Sequence, residues 1–145
     1  MDNGGNVNIL TLNNETPLHY AVRLGRKDLV QILVSRGADI TIRGKKDNKT
    51  ALELAEDWGV IVMASHLKKI AELQNWLREL GVEQYFQLFV KEELFLEECE
   101  ALNDGVLDHL GITSTGHRMR ILKGVQNLGK NFIKIITKNL KTKKK

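Results

Sequence analysis

The side chains able to do chemistry in this 145-residue chain are four histidines, one cysteine and 18 carboxylates. A nucleophile needs a base beside it, and a zinc site needs several His, Cys or acidic ligands at short spacing. His19, His66, His109 and His117 are scattered over separate segments, and Cys99 has no obvious base near it in sequence. There is no His-Glu-x-x-His pair, no cysteine cluster and no Gly-rich phosphate loop. Cys99 therefore reads as a small core residue, and a lone cysteine cannot close an internal disulfide, which points to a reducing, cytoplasmic compartment. The carboxylates read as charged surface rather than as a glycosidase pair. The expectation is a non-enzymatic chain with no metal and no cofactor, whose work is binding.

Charge is sorted along the chain. Residues 1–69 carry 10 basic and 8 acidic side chains, residues 70–111 carry 2 and 10, and residues 112–145 carry 10 and none. Blocks of opposite sign side by side suggest complementarity within or between molecules. No apolar run approaches the roughly 20 residues a membrane span needs. The first residues, Met1-Asp2-Asn3-Gly4-Gly5, show neither the basic nor the apolar region of a secretory signal.

The N-terminal half repeats itself. Gly4-Gly5-Asn6-Val7-Asn8 aligns with Gly37-Ala38-Asp39-Ile40-Thr41, and Asn14-Glu15-Thr16-Pro17-Leu18 with Asn48-Lys49-Thr50-Ala51-Leu52. Ala21 then matches Ala55, and Gly25 matches Gly59. Thr16 can cap a helix that Pro17 begins. Leu18, Ala21 and Val22 form its apolar stripe, and Gly25 stops it. Asp28 is expected to cap a second helix with Leu29, Ile32 and Leu33 on its buried side, ended by Gly37. Thr-Pro-Leu-His at a period near 33 resembles the ankyrin repeat. Asn14 and Asn48 stand where that family usually has glycine. Residues 16–47 make one complete repeat, with partial ones on either side. In the second, Glu53 replaces the histidine, which predicts loss of the Thr–His bond that braces the turn. So short an array buries little core by itself, since solenoids usually need about three repeats. Either the chain is a piece of a longer protein, the preferred reading because it opens in mid-motif, or the repeats lean on the next domain. Val60, Ile61 and Val62 are the expected leaning face.

From Glu72 the pattern changes. Leu73, Trp76, Leu77 and Leu80 make an i, i+3, i+4, i+7 stripe that Gly81 stops. Short helical segments come next, around Tyr85–Phe89, Leu94–Leu96 and Asn103–Leu110, and then a long helix with Ile121, Leu122, Val125 and Leu128 on its buried stripe. The ordered set Trp76-Leu77, Leu80-Gly81, Tyr85, Phe89, Leu107-x-x-Leu110-Gly111-Ile112 and Gly116-His117-Arg118-x-x-Ile121-Leu122 resembles a sterile alpha motif (SAM) domain. That resemblance implies a five-helix bundle. The expected architecture is all-α: ankyrin repeats over residues 1–70, a SAM domain over 71–129, and a basic helical extension over 130–145.

The resemblance also implies an adaptor or scaffold that binds proteins, including another SAM domain, of its own kind or different. Its mid-loop face would be carried by Glu97, Glu98, Glu100, Asp104 and Asp108, beside Glu92 and Glu93. Its end-helix face would be Gly116, His117, Arg118 and Lys123, where a helix N-terminus already favours carboxylates. A contact of this heterologous kind that does not close builds an open chain of copies; a monomeric domain is the alternative. Tyr20, Arg23, Arg43, Lys45 and Lys46 are the expected ankyrin surface toward an unknown partner. Lys130, Lys134, Lys138 and Lys141, with Arg120 and Lys123, share one face of the last helix, opposite Phe132 and Ile136. That apolar stripe is expected to pack on the bundle or the ankyrin part. Weak contact with anionic lipid is the second reading and RNA the third, because only Phe132 could stack on a base. A regulatory piece of a larger enzyme such as a kinase is a further alternative.

Overall fold

The computed structural model describes Asn8, Leu10 and residues 15–143; the readings of residues 1–7, 9, 11–14, 144 and 145 lie outside the described residues. Among the described residues eight α-helices succeed one another: α1 (Pro17–Arg23), α2 (Lys27–Ser35), α3 (Ala51–Asp57), α4 (Ile61–Glu79), α5 (Phe86–Lys91), α6 (Leu96–Cys99), α7 (Asp104–His109) and α8 (Thr115–Lys143). A single 3-10 turn, Glu83–Tyr85, leads into α5. There is no strand among the described residues, so the all-α architecture is as expected.

The first helix starts as its sequence dictates. Thr16 Oγ1 accepts from the His19 backbone N–H, and Pro17 fills the first turn, where its missing N–H costs nothing. The His19 ring closes the cap through Nδ1, 2.7 Å from Thr16 Oγ1, while Nε2 donates to the Lys49 carbonyl at 2.8 Å. A carbonyl can only accept, so Nε2 is the donor and the ring ties α1 to the turn before α3. At α3 the expected loss of bracing does not occur. Thr50 Oγ1 accepts from the Glu53 N–H at 3.2 Å, and the Glu53 carboxylate accepts from the Thr50 N–H at 3.4 Å. Glu53 thus completes a capping box in place of the histidine. Asn48 takes φ +54°, the left-handed conformation asparagine tolerates. Asp28 does not cap α2: the flanking residue is Arg26, and Asp28 sits in the first turn, ion-paired to Arg26 at 2.6 Å. A carboxylate there still faces the positive end of the helix.

Packing then runs without a break. Helix α1 lies against α2 and α3, α3 against α4, α2 against α5, and α4 against α5 and α6. Helix α4 buries Met63, Leu67, Ile70, Leu73, Trp76 and Leu77, and all the buried apolar side chains form one cluster. Residue 70, the expected module boundary, falls in the middle of α4. The short repeat array leans on the adjoining bundle, where the Gln31 amide of α2 donates to the Val90 carbonyl of α5. The leaning face is not the expected one. Val60 is half-buried, but Ile61 and Val62 are 80% and 69% exposed at the outer end of α4. Helix α2 does the leaning by packing on α5, and α4 packs on α5 as well.

Helix α8 packs closely on α4 through Gly124. A Cβ there would lie 2.7 Å from Leu80 Cδ1 and 3.0 Å from Trp76 Cζ2. Ile121 is buried, and Leu122, Val125 and Leu128 pack on the core. Beyond Gly129 the helix outruns the bundle: Ile133, Ile135, Ile136 and Leu140 are each more than half exposed. The expected packing of this outer stripe is therefore absent among the described residues.

Gly124→Val should destabilise the fold by about 1–3 kcal/mol in urea denaturation, through overpacking against Trp76 and Leu80. Gly129→Ala, where the added methyl meets nothing, should be neutral or stabilising by up to about 1 kcal/mol.

Candidate docking surfaces

The start of α8 mixes residues on the surface with residues committed to the bundle. Gly116 and Lys123 are exposed, as are Met119 and Arg120 beside them. His117 is half-buried, with Nδ1 2.6 Å from the Tyr85 hydroxyl and its ring edge-on to Tyr85. Arg118 has only 19% of its side chain exposed. Its Nε donates to the Ile112 carbonyl at 2.6 Å, one Nη pairs with Asp108, and the other lies 3.8 Å from Asp104. Arg118 is thus a clamp between α7, the loop after it and the first turn of α8.

The same clamp touches two of the acidic residues. Asp104 and Asp108 contact Arg118 yet keep most of their side chains exposed, and Glu97, Glu98 and Glu100 stand exposed on and just after α6. Glu97 lies 3.8 Å from Lys69 of α4. Glu93 and Glu98 line an open cavity of about 420 Å³ with Lys27, Lys69, Ile61, Val62 and Phe95. Two lysines from outside the acidic stretch therefore border it. Nothing in the local sequence announces Lys27, which reaches this place only because α2 packs on α5. Glu93 holds φ +56° in the turn after α5, an uncommon conformation for a residue with a Cβ.

Beneath that cavity His66 is 7% exposed and edge-on to Phe95, with no hydrogen-bond partner for Nε2 among the described residues. Burial, and then the charges of Lys27 and Lys69, lower its pKa to about 4. The ring is neutral at pH 7 and serves as core. Cys99 is buried, and burial together with the Glu98 charge pushes its thiol up to about 12. A thiol held protonated is no nucleophile. Among the described residues, no three His, Cys, Asp or Glu side chains come together as metal ligands, and no helix is long and apolar enough to cross a membrane.

In the repeat, Arg23 is bidentate to the buried Glu15 carboxylate, with contacts of 2.7–3.0 Å. It also reaches Asp47 at 3.3 Å and stacks 5.0 Å from the Trp58 ring centre. The Glu15 hydrogen bonds hold its pKa above the usual arginine value, despite the opposing effect of burial. Arg43 pairs with Glu53 at 2.7 Å and donates to the Asn48 carbonyl. Both arginines brace the outward loop. Lys45 and Lys46 stand exposed at its tip, and Tyr20 is half-buried on α1. On the outer part of α8, Lys130, Lys134 and Lys138 are exposed, while the side chains of Phe132 and Lys141 fall outside the described set.

Comparison with known proteins agrees with this architecture. The sterile alpha motif domain model matches residues 65–129, and the ankyrin repeat model matches residues 13–45. Stress-activated protein kinase alpha of Dictyostelium discoideum is 47% identical over 86% of this chain, and the match takes up 25% of that protein. Ankyrin repeat-containing protein kinase A of the same organism is 40% identical over 70% of the chain and 7% of its own length. Ankyrin repeat and SAM domain-containing protein 6 of Danio rerio is 39% identical over 39% of the chain and 8% of its own length. The chain thus spans a quarter or less of these relatives. No solved structure matches it. Both matched modules are interaction modules without catalytic machinery.

The clamp and the exposed lysine should separate cleanly. Arg118→Ala should cost about 1–3 kcal/mol of stability, because it strips a charged donor from the Ile112 carbonyl and Asp108. Lys123→Ala should stay within about 0.5 kcal/mol of the parent in the same urea titration.

Proposed function

We propose that this chain, an ankyrin-repeat and SAM-domain protein, acts in the cytoplasm as an adaptor whose SAM part pairs with another SAM domain, of its own kind or different. Residues 1–70 would form the ankyrin part, 71–129 the SAM domain and 130–145 the extension. The acidic surface is Glu97, Glu98 and Glu100; the basic surface is the start of α8, with Gly116 and Lys123. The observation that carries this reading is the separate placement of exposed carboxylates at α6 and an exposed cationic helix start at α8 on one bundle. Because the two surfaces differ, one copy can give its acidic side to the basic side of the next, and such a contact need not close. Asp104 and Asp108, exposed beside those glutamates, extend the acidic surface, while Arg118 and His117 sit half-buried at the basic one and tie it to the bundle. The loop tip at Lys45 and Lys46, beside Tyr20, would face a separate partner of the ankyrin part.

A second reading is favoured by the kinase relatives. This stretch would then be the regulatory, non-catalytic part of a larger kinase, bringing two kinase chains together by the same pairing.

Sedimentation velocity over a range of concentrations tests the pairing. The expected result is a size that grows with concentration and falls with added salt, as surface charge pairing requires. Lys123→Glu alone and the double variant Glu97→Lys/Glu98→Lys should each stay monomeric, and an equimolar mixture of the two should recover a heterodimer. A parent chain that stays single at every concentration, and that captures no SAM domain offered to it, would contradict the proposal.

A further inference from the structure

The outer half of α8 has a built-in amphipathic design that protein pairing at the bundle leaves unused. It continues the helix for about four turns past Gly129, where the bundle ends. Ile133, Ile136 and Leu140 keep an i, i+3, i+7 spacing, so they form one stripe, and all three are exposed. At roughly 100° per residue Lys138 and Lys134 fall about 170° and about 130° round from the centre of that stripe and Lys130 flanks it at about 90°; Lys141, Lys143, Lys144 and Lys145 come after them in sequence. Not one Asp or Glu occurs after Asp108.

We propose that residues 130–143 lay the Ile133–Ile136–Leu140 stripe on a membrane surface bearing anionic lipid headgroups. The sign and composition of the charge choose this occupant over others. A second copy of the same helix would bring two all-lysine segments together, and like charges repel. Nucleic acid is recognised by arginine forks and stacking aromatics, yet no arginine occurs after Arg120, and Phe132 is the only aromatic residue after Phe95. Lysines are point charges that suit a diffuse anionic surface. A helix with its coat of side chains is about 10 Å across, close to the Debye length of about 8 Å in physiological salt. Lysines on its far side therefore still feel a surface on which the apolar stripe rests. Long lysine stems also reach around toward headgroups. The pattern of a polar, lysine-rich face against an aliphatic one is that of helices lying in the membrane interface.

The test uses the full chain and vesicles of phosphatidylcholine alone or with phosphatidylserine at roughly one lipid in three. The expected result is co-sedimentation with the phosphatidylserine vesicles only, weakened at least tenfold by raising salt from about 0.1 to about 1 M. Ile133→Ser/Ile136→Ser/Leu140→Ser keeps every charge and should lower binding at least tenfold. Lys130→Glu/Lys134→Glu should do the same with the stripe intact. All these positions are exposed, so thermal melts of both variants should match the parent. Equal binding to neutral vesicles, full retention by the triple serine variant, or no vesicle binding by the parent would each overturn the proposal. So would a lipid-free parent whose self-association vanishes in the serine variant, or tighter binding to polyuridylate than to vesicles.

Discussion

One helix packs against both halves of the molecule, and the rest depends on that. Helix α4 spans 19 residues, about 28 Å at 1.5 Å per residue. It packs on α3, the helix after the matched ankyrin repeat, and it also packs on α5 and α6 of the SAM domain. A repeat array this short cannot bury its own apolar face, because each repeat needs a neighbour. Helix α4 supplies one such neighbour to the described repeat. The fully buried run Leu67, Ile70, Leu73 and Leu77 then links two cores that would otherwise be separate. The contact of α2 with α5, tied by Gln31 to the Val90 carbonyl, closes a second path between them.

Local physics makes much of this legible from residues alone. Thr16-Pro17 announces a helix start, and Gly25, Gly37, Gly59, Gly81 and Gly111 all take the positive φ that ends a helix. The stripes on α1, α4 and α8 read correctly because their periodicity is a property of neighbours three and four apart. The hidden features depend on residues far apart in sequence or on a choice between equivalent chemistries. Glu53 reads as a loss, yet a carboxylate at the third position of a helix can reach back to the cap as histidine does. The contacts of Arg118 with Ile112, Asp104 and Asp108 join α7 to α8 and are not announced by its immediate neighbours in sequence. The exposure of Ile61 and Val62, and of the outer α8 stripe, depends on where the bundle stops.

The charged groups accordingly have two fates. Arg23, Arg43 and Arg118 each hold several acceptors at once, which the planar guanidinium does well, and they fix loops. The lysines at 45, 46, 123, 130 and 134 stay on the surface, where a partner can meet them. His66 and Cys99 are buried, the one neutral and the other a protonated thiol at pH 7.

The shared helix should make the ankyrin and SAM parts one cooperative body, and native-state amide hydrogen exchange at rising urea measures this directly. The slowest amides of α1–α3 and those of α4–α8 should converge on a single opening free energy and a single urea dependence. If the amides of α1–α3 opened at a clearly lower free energy while the bundle stayed protected, the two parts would be separate and the account wrong.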